Sequence, residues 1–409
     1  MFLINNLWQI MSSLANVFTE WVFWLVVGLV ALQYRHIAAA RDSLFGVVTS
    51  RVWPDILAAV AYGTIGGLVG SILIVTVGLS LNGSSLLYLW PIAVLLMFIN
   101  PRFLCFAYAG GVLSLSNLIF GFPSLNIVQV LALVAVLHMV ESALILVSGH
   151  LGAVPAYFRT PGGRLVGGFN LQKLWPIPIV VLSVAGSPIS FSSMPGWWPL
   201  LKTTFSGGPE YLAYGLIPVV ACLGYGDLAI SHNPNRKSRL SALYLGIYSI
   251  ILLFLSFLSQ YLRPAAFIAA LFSPLGHELV IFLGKELELK GKPLYVPTDK
   301  GVRVLDVLVD TPFWRAGVRS GDVILSINGR EISSETLPVN FLTEERYCEV
   351  EFLHGQDQVY KRGTAAVLEG QEILGFIPAP DSLEKTYLDL GAKRTFGQFL
   401  KRLGRRFNQ

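Results

Sequence analysis

Charge is scarce in this sequence: Asp, Glu, Lys and Arg make up 13% of its 409 residues, where a soluble domain carries about a quarter. That shortage excludes an ordinary soluble enzyme and a disordered chain, since both need charged surface to stay in water. Cysteine is scarcer still. Cys105, Cys222 and Cys348 are too few for a disulfide framework. The first two lie in apolar runs and read as small fillers, and the third reads as a free thiol in the water-soluble part. No Lys or Arg precedes Arg35, so the basic start of a cleavable signal is missing.

Apolar sequence fills the gap: 54% of residues are hydrophobic and the mean hydropathy is +0.61. Runs long enough to span about 30 Å of hydrocarbon fall at 14–34, 56–80, 103–120, 127–148, 174–194, 211–230, 241–260 and 264–283. The segment 86–99 carries Pro91 and ends at Asn100-Pro101-Arg102. It is either a ninth, short span or half of a re-entrant hairpin. Residues 1–283 are therefore expected to form a polytopic α-helical membrane bundle of about eight or nine spans. Gly63-Thr-Ile-Gly66-Gly67-Leu-Val-Gly70 contains two overlapping small-xxx-small pairs, which let backbones approach closely inside a bundle or at a dimer seam.

Loop charge sets the expected sidedness. Arg35, Arg41, Arg51, Arg102, Arg159, Arg164, Lys173, Arg236, Lys237 and Arg239 fall on one side, and only Lys202 and Arg263 on the other. The richer side is cytoplasmic, and everything after residue 284 lies there. Net charge divides the chain the same way: +5 over 1–283, −6 over 284–390 and +6 over 391–409. An apolar body is followed by a linker (284–299), an acidic water-soluble domain (300–380) and a basic tail (381–409).

The acidic domain reads as strands and turns. Residues 302–305 and 307–309 are β-rich. Phe313-Trp314-Arg315-Ala316-Gly317 is a short helix closed by glycine. Residues 322–327 alternate as a strand, Asn328-Gly329 is a two-residue hairpin turn, and 348–352 alternate again before Gly355. In the tail, Phe396, Phe399, Leu400, Leu403 and Phe407 recur at helical spacing. Lys393, Arg394, Lys401, Arg402, Arg405 and Arg406 surround them, the pattern of a basic amphipathic helix that meets anionic lipid or an acidic partner.

The string Val309-Asp-Thr-Pro-Phe-Trp-Arg-Ala-Gly317-Val-Arg-Ser-Gly321-Asp322-Val-Ile-Leu-Ser-Ile-Asn328-Gly329 resembles a bacterial PDZ domain, through its small helix, Ala316-Gly317, Gly321-Asp322, hydrophobic strand and Asn328-Gly329. The resemblance implies a mixed β/α domain that captures a peptide by adding it as a strand to a sheet edge. Leu374-Gly375-Phe376 is similar to the family's carboxylate-binding loop.

The body has its own resemblance, carried by His138-Met-Val-Glu141, the loop Pro161-Gly162-Gly163-Arg164 to Trp175-Pro176-Ile177-Pro178, and Ser273-Pro274-Leu275-Gly276-His277-Glu278. With a PDZ domain after them, these resemble the polytopic membrane PDZ proteins of Gram-positive bacteria. That resemblance implies an adaptor in cell division, linking a polar or septal curvature-sensing scaffold to the inhibitor of division-ring assembly. It brings no catalytic residues and no cofactor, and it does not extend to the basic tail.

Three other chemistries compete with that reading. A site-2 intramembrane metalloprotease needs His-Glu-x-x-His on one helix, but His277-Glu278-Leu279-Val280-Ile281 has isoleucine at the second ligand position. A degenerate protease of that kind is the remote reading, and no metal centre is expected. A trypsin-like domain has no soluble stretch large enough to hold it. Polar residues at membrane depth, namely His138, Glu141, Asp227, His277 and Glu278, must meet one another or line a wet cavity. They are expected to form one intramembrane cluster, either a packing device or, through Glu141 and Asp227, the ion site of a transporter. The expected partners are proteins at the PDZ groove and the lipid bilayer, with no nucleic acid.

Overall fold

The computed structural model describes residues 2–45, 52–81, 83–183, 195–202, 214–333, 347–355, 358–367, 375–381 and 387–390. The body begins with α1 (Phe2–Val17), α2 (Trp21–Phe45), α3 (Val52–Val77) and α4 (Gly83–Ile99). A 3-10 turn (Pro101–Leu104) leads to α5 (Phe106–Phe120) and α6 (Ile127–Ser148). Then come β1 (Val154–Arg159), β2 (Leu165–Ser183), β3 (Gly215–Ala229), α7 (Pro234–Leu258) and α8 (Arg263–Lys290). Among the described residues, 5 helices are long and apolar enough to cross a membrane: Trp21–Ala39, Val52–Val77, Ile127–Ser148, Pro234–Leu258 and Arg263–Lys290. Leu87–Ile99 and Phe106–Phe120 are shorter apolar helices.

The body is not all helical. The runs at 174–194 and 211–230, expected as spans, are strands over 174–183 and 215–229. β2 and β3 pair antiparallel from Phe169↔Ala229 to Ser183↔Gly215. The local chemistry explains it. Pro176 and Pro178 each remove a helical donor and would clash with the preceding turn. Ile177, Ile179, Val180, Val181, Val219 and Val220 are β-branched and favour the extended chain. Length and hydropathy alone do not separate a buried strand from a helix. The expected first span, 14–34, is likewise interrupted by a turn at residues 18–20.

Helix α3 covers the edge of β2 that turns away from β3. A Cβ at Gly63 would lie 2.1 Å from the Pro176 carbonyl oxygen, and one at Gly67 would lie 1.9 Å from that of Pro178. One turn on, Ser71 Oγ accepts the Val180 N–H at 2.9 Å while donating to the Gly67 carbonyl at 2.7 Å. The two prolines carry no N–H, so the edge presents no orphan donor there. On its other side α3 turns Gly66 and Gly70 toward Leu144 and Val140 of α6. The small-residue motif thus serves two contacts inside the body, one of them a strand.

The C-terminal domain comprises β4 (Val302–Val307), α9 (Pro312–Arg315), β5 (Val323–Ile327), β6 (Arg330–Glu331), β7 (Tyr347–His354), β8 (Val359–Ala366) and β9 (Phe376–Pro378). Its sheet has the order β8-β7-β5-β4-β9, with β6 beside β5. Val304, Phe313, Val318, Ile324, Ile327, Cys348 and Val350 fill its core, all fully buried. Helix α8 runs on to Lys290, through the first part of the stretch read as linker. The domain meets the body along its β1–β2 hairpin. The Gly167 N–H donates to the Tyr295 carbonyl at 2.8 Å, and β10 (Leu388–Asp389) runs parallel to β1.

Candidate functional site

Two places in the molecule collect the residues singled out by sequence. The first is the edge of the PDZ sheet. Strand β9 ends the strand order, with β4 on one side of it. Gly375 leads into it at φ +81°, where a Cβ would lie 2.2 Å from the Thr311 side chain. Only glycine tolerates both conditions. Its carbonyl accepts the Leu308 N–H at 2.7 Å and ties β9 to the loop before α9. Phe376 is half-buried, its ring 4.9 Å from that of Phe313. Leu374, the third residue assigned to the carboxylate loop, lies outside the described residues, as do Lys393, Arg394, Lys401, Arg402, Arg405 and Arg406 of the tail.

The remaining PDZ motif residues hold the frame. Ala316 is buried, and its carbonyl lies against Gly363 of β8. Gly317 and Gly321 turn with positive φ, and Asn328-Gly329 forms the expected turn. The Asn328 side chain also accepts the Glu349 N–H at 2.7 Å. Asp322, 1% exposed, accepts the N–H groups of Arg319 at 2.8 Å and Gly355 at 3.1 Å, with His354 Nδ1 3.0 Å away. It is an internal staple and not a peptide contact. On the sheet surface the Ser326 hydroxyl donates to Glu351 at 2.6 Å, and with Tyr360 it holds that carboxyl below its usual range.

The second place lies in the helical body, where the expected single polar cluster divides in two. Asp227, on β3, pairs with Lys237 Nζ at 3.0 Å and accepts from Ser241 Oγ at 2.7 Å. Lys237, 1% exposed, also donates to the Gly284 carbonyl at 2.9 Å. None of these partners belongs to the other group, which is built by the 3-10 turn, α5, α6 and α8. There His138 and His277 face each other with ring centroids 5.2 Å apart. Cys105 joins them: its Sγ lies 3.2 Å from His138 Nε2 and 3.8 Å from His277 Nε2. Glu278 accepts from Tyr108 OH at 2.6 Å and pairs with Arg102 at 3.1 Å. Glu141 is buried on α6, one turn beyond His138.

The sequence places Cys105 among the fillers and Arg102 in a charged loop, and assigns neither of them, nor Tyr108, to this site. The available signal was positional: Arg102, Cys105 and Tyr108 follow one another at three-residue intervals around the start of α5. Among the described residues, Cys105, His138 and His277 are the group that can hold a metal ion, their ligand atoms all within 4.8 Å of one another.

Residues 303–342 match the PDZ domain family. Over 342 residues, 78% of this chain and 82% of the relative, the sequence is 23% identical to the cell division topological determinant MinJ of Bacillus subtilis (strain 168). No solved structure matches. The chain is a membrane protein carrying a PDZ domain, and it resembles MinJ over most of its length.

Proposed function

We propose that this chain is a non-enzymatic membrane scaffold that acts in positioning cell division and whose PDZ domain recruits partner proteins by strand addition. The observation that carries the proposal is β9, an edge strand of the PDZ sheet entered through a glycine that nothing else can replace. An extended peptide can use such an edge as a template, since backbone hydrogen bonds give it affinity and side-chain pockets give it selectivity. The division-site role rests on the similarity to a protein named as a topological determinant of cell division.

The PDZ domain and tail belong on the cytoplasmic side. The loop-charge bias supports this orientation, and the strand hairpin leaves it unaltered. Leu81 N–H donates to the Leu182 carbonyl, Leu201 N–H to Val77, and Lys202 N–H to Gln260 in the α7–α8 loop. The hairpin therefore reaches the far end of α3 and returns, as two helical spans would. The basic tail adds affinity for anionic lipid. The transporter reading gains nothing from the geometry, because Asp227 is neutralised by Lys237 and belongs to a different group from Glu141.

The test is a pull-down from membranes with Gly375→Val. Recovery of division-site partners is expected to fall roughly tenfold or more, the factor that about 1.4 kcal/mol gives, while membrane insertion is unchanged. Equal recovery by the variant would remove strand addition from the proposal.

A further inference from the structure

We infer that Cys105, His138 and His277 form a binding site for a soft divalent transition-metal ion of the zinc class, buried in the helical body and separate from the PDZ groove. Three different elements deliver the ligands. Cys105 closes the 3-10 turn and caps α5, His138 projects from the middle of α6, and His277 from α8 just beyond Pro274. A tetrahedral zinc ion with one sulfur and two nitrogen ligands holds neighbouring ligand atoms roughly 3.3–3.7 Å apart. The two S···N distances, 3.2 and 3.8 Å, bracket that spacing.

The surroundings set both imidazoles in the form a metal requires. His138 Nδ1 lies 2.7 Å from the Val134 carbonyl, which only accepts, so Nδ1 carries the proton and the Nε2 lone pair faces Cys105. Tyr108 gives its hydroxyl proton to Glu278 at 2.6 Å, leaving the phenol oxygen to accept from His277 Nδ1 at 3.3 Å. The Nε2 lone pair of His277 is turned to the same sulfur. Such carboxylate or carbonyl support behind each ligating histidine is how metal sites fix ring orientation. The sulfur accepts the Ala107 N–H at 3.4 Å, as a metal-bound thiolate does at the start of a helix.

Charge also closes. Binding releases the Cys105 thiol proton to solvent, and a divalent ion with one thiolate leaves a single positive charge. Glu141 is buried, on the same face of α6 as His138. Its carboxylate balances the remaining charge. The rings of Tyr248 and His138, 5.4 Å apart and edge-on, wall one side of the site. The fourth tetrahedral position is left to water.

The full-length protein, purified in detergent and stripped with a chelator, is reloaded with zinc or cobalt and desalted. Roughly one ion per chain is expected to remain, and the cobalt form is expected to show a thiolate-to-metal charge-transfer band. Cys105→Ser is expected to abolish that band, whereas Cys222→Ser is expected to retain it. Tyr108→Phe, which removes the hydroxyl that links His277 to Glu278 and leaves all three ligands in place, is expected to weaken affinity about 10- to 100-fold. A wild-type protein that retains no ion would overturn the assignment without recourse to any variant. A full-strength band in Cys105→Ser would overturn it as well. Because the assay uses no partner protein, its outcome is independent of whether the PDZ domain recruits one.

Discussion

A single methyl group decides whether α3 can lie against β2. The Cβ that any other residue would add at position 67 falls on a backbone carbonyl, which has no rotamer to move aside. Gly67→Val is therefore expected to cost about 3 kcal/mol or more, at the upper end of overpacking penalties, and to lower the melting temperature in detergent. Gly28, on α2, has nothing within 4 Å of the same construction, and Gly28→Val is expected to leave the melting temperature nearly unchanged. Equal behaviour of the two variants would mean that the close approach of α3 to β2 does not matter for stability. Gly375 meets the same kind of constraint from Thr311, with the added demand of positive φ. At Gly67 the close neighbour is a backbone carbonyl and at Gly375 a β-branched side chain, and in both cases one added carbon atom removes the fit.

At the level of elements, the fit of α3 to β2 follows from the geometry of each. Four residues of helix rise about 6 Å, and two residues of strand rise about 6.6 Å. A small residue every fourth position can therefore follow every second residue of a strand. Gly63, Gly67 and Ser71 do so against Pro176, Pro178 and Val180. Two of the three strand positions have no N–H, and Ser71 satisfies the third. Ser71→Ala would leave the Val180 donor buried and unpaired, an expected loss of about 1–3 kcal/mol. Faster amide exchange at Val180, with little change along α6, is the result that checks it. Helix α8 uses a related device. Pro274 cannot donate to the Ala270 carbonyl, and Gly111 of α5 comes close to both residues at that point. Tyr248 OH donates to the neighbouring Ser273 carbonyl at 2.7 Å. The turn that follows is where His277 and Glu278 emerge.

At the scale of the whole molecule, the PDZ domain is not a tethered bead. Tyr295 is 3% exposed, its carbonyl bonds the Gly167 N–H, and its ring lies edge-on to Phe169 at 5.4 Å. Ser320 of the PDZ domain donates to its hydroxyl at 3.1 Å, and burial pushes that phenol above its ordinary range. Tyr157 of β1 donates to the Pro378 carbonyl of β9 at 3.0 Å. The candidate recognition strand therefore touches the membrane body. Tyr295→Ala is expected to loosen this docking, with roughly tenfold more of the open form for each 1.4 kcal/mol lost, about the factor general to any equilibrium. Faster proteolysis at 291–301 measures it, and cleavage at the wild-type rate would show that the docking rests on other contacts.

An apolar helical body, an acidic segment and its PDZ character are legible in the order of residues alone. These are written in local signals: apolar run length, charge per segment, and turn residues at fixed offsets such as Gly321-Asp322 and Asn328-Gly329. The sequence also marks out His138, Glu141, His277 and Glu278, because a charged or polar residue inside an apolar run stands out whatever its partners are. That 174–183 and 215–229 are strands is settled by packing, since a buried strand and a spanning helix share length and hydropathy and differ in what satisfies the backbone. Prolines 176 and 178 are tolerable because α3 covers them, and that cover comes from residues more than a hundred positions away. The same holds for the polar residues. Asp227 parts from His138 because Lys237 neutralises it locally. Cys105, an apolar filler by its neighbours in sequence, becomes a candidate ligand because α6 and α8 bring two histidines to its sulfur.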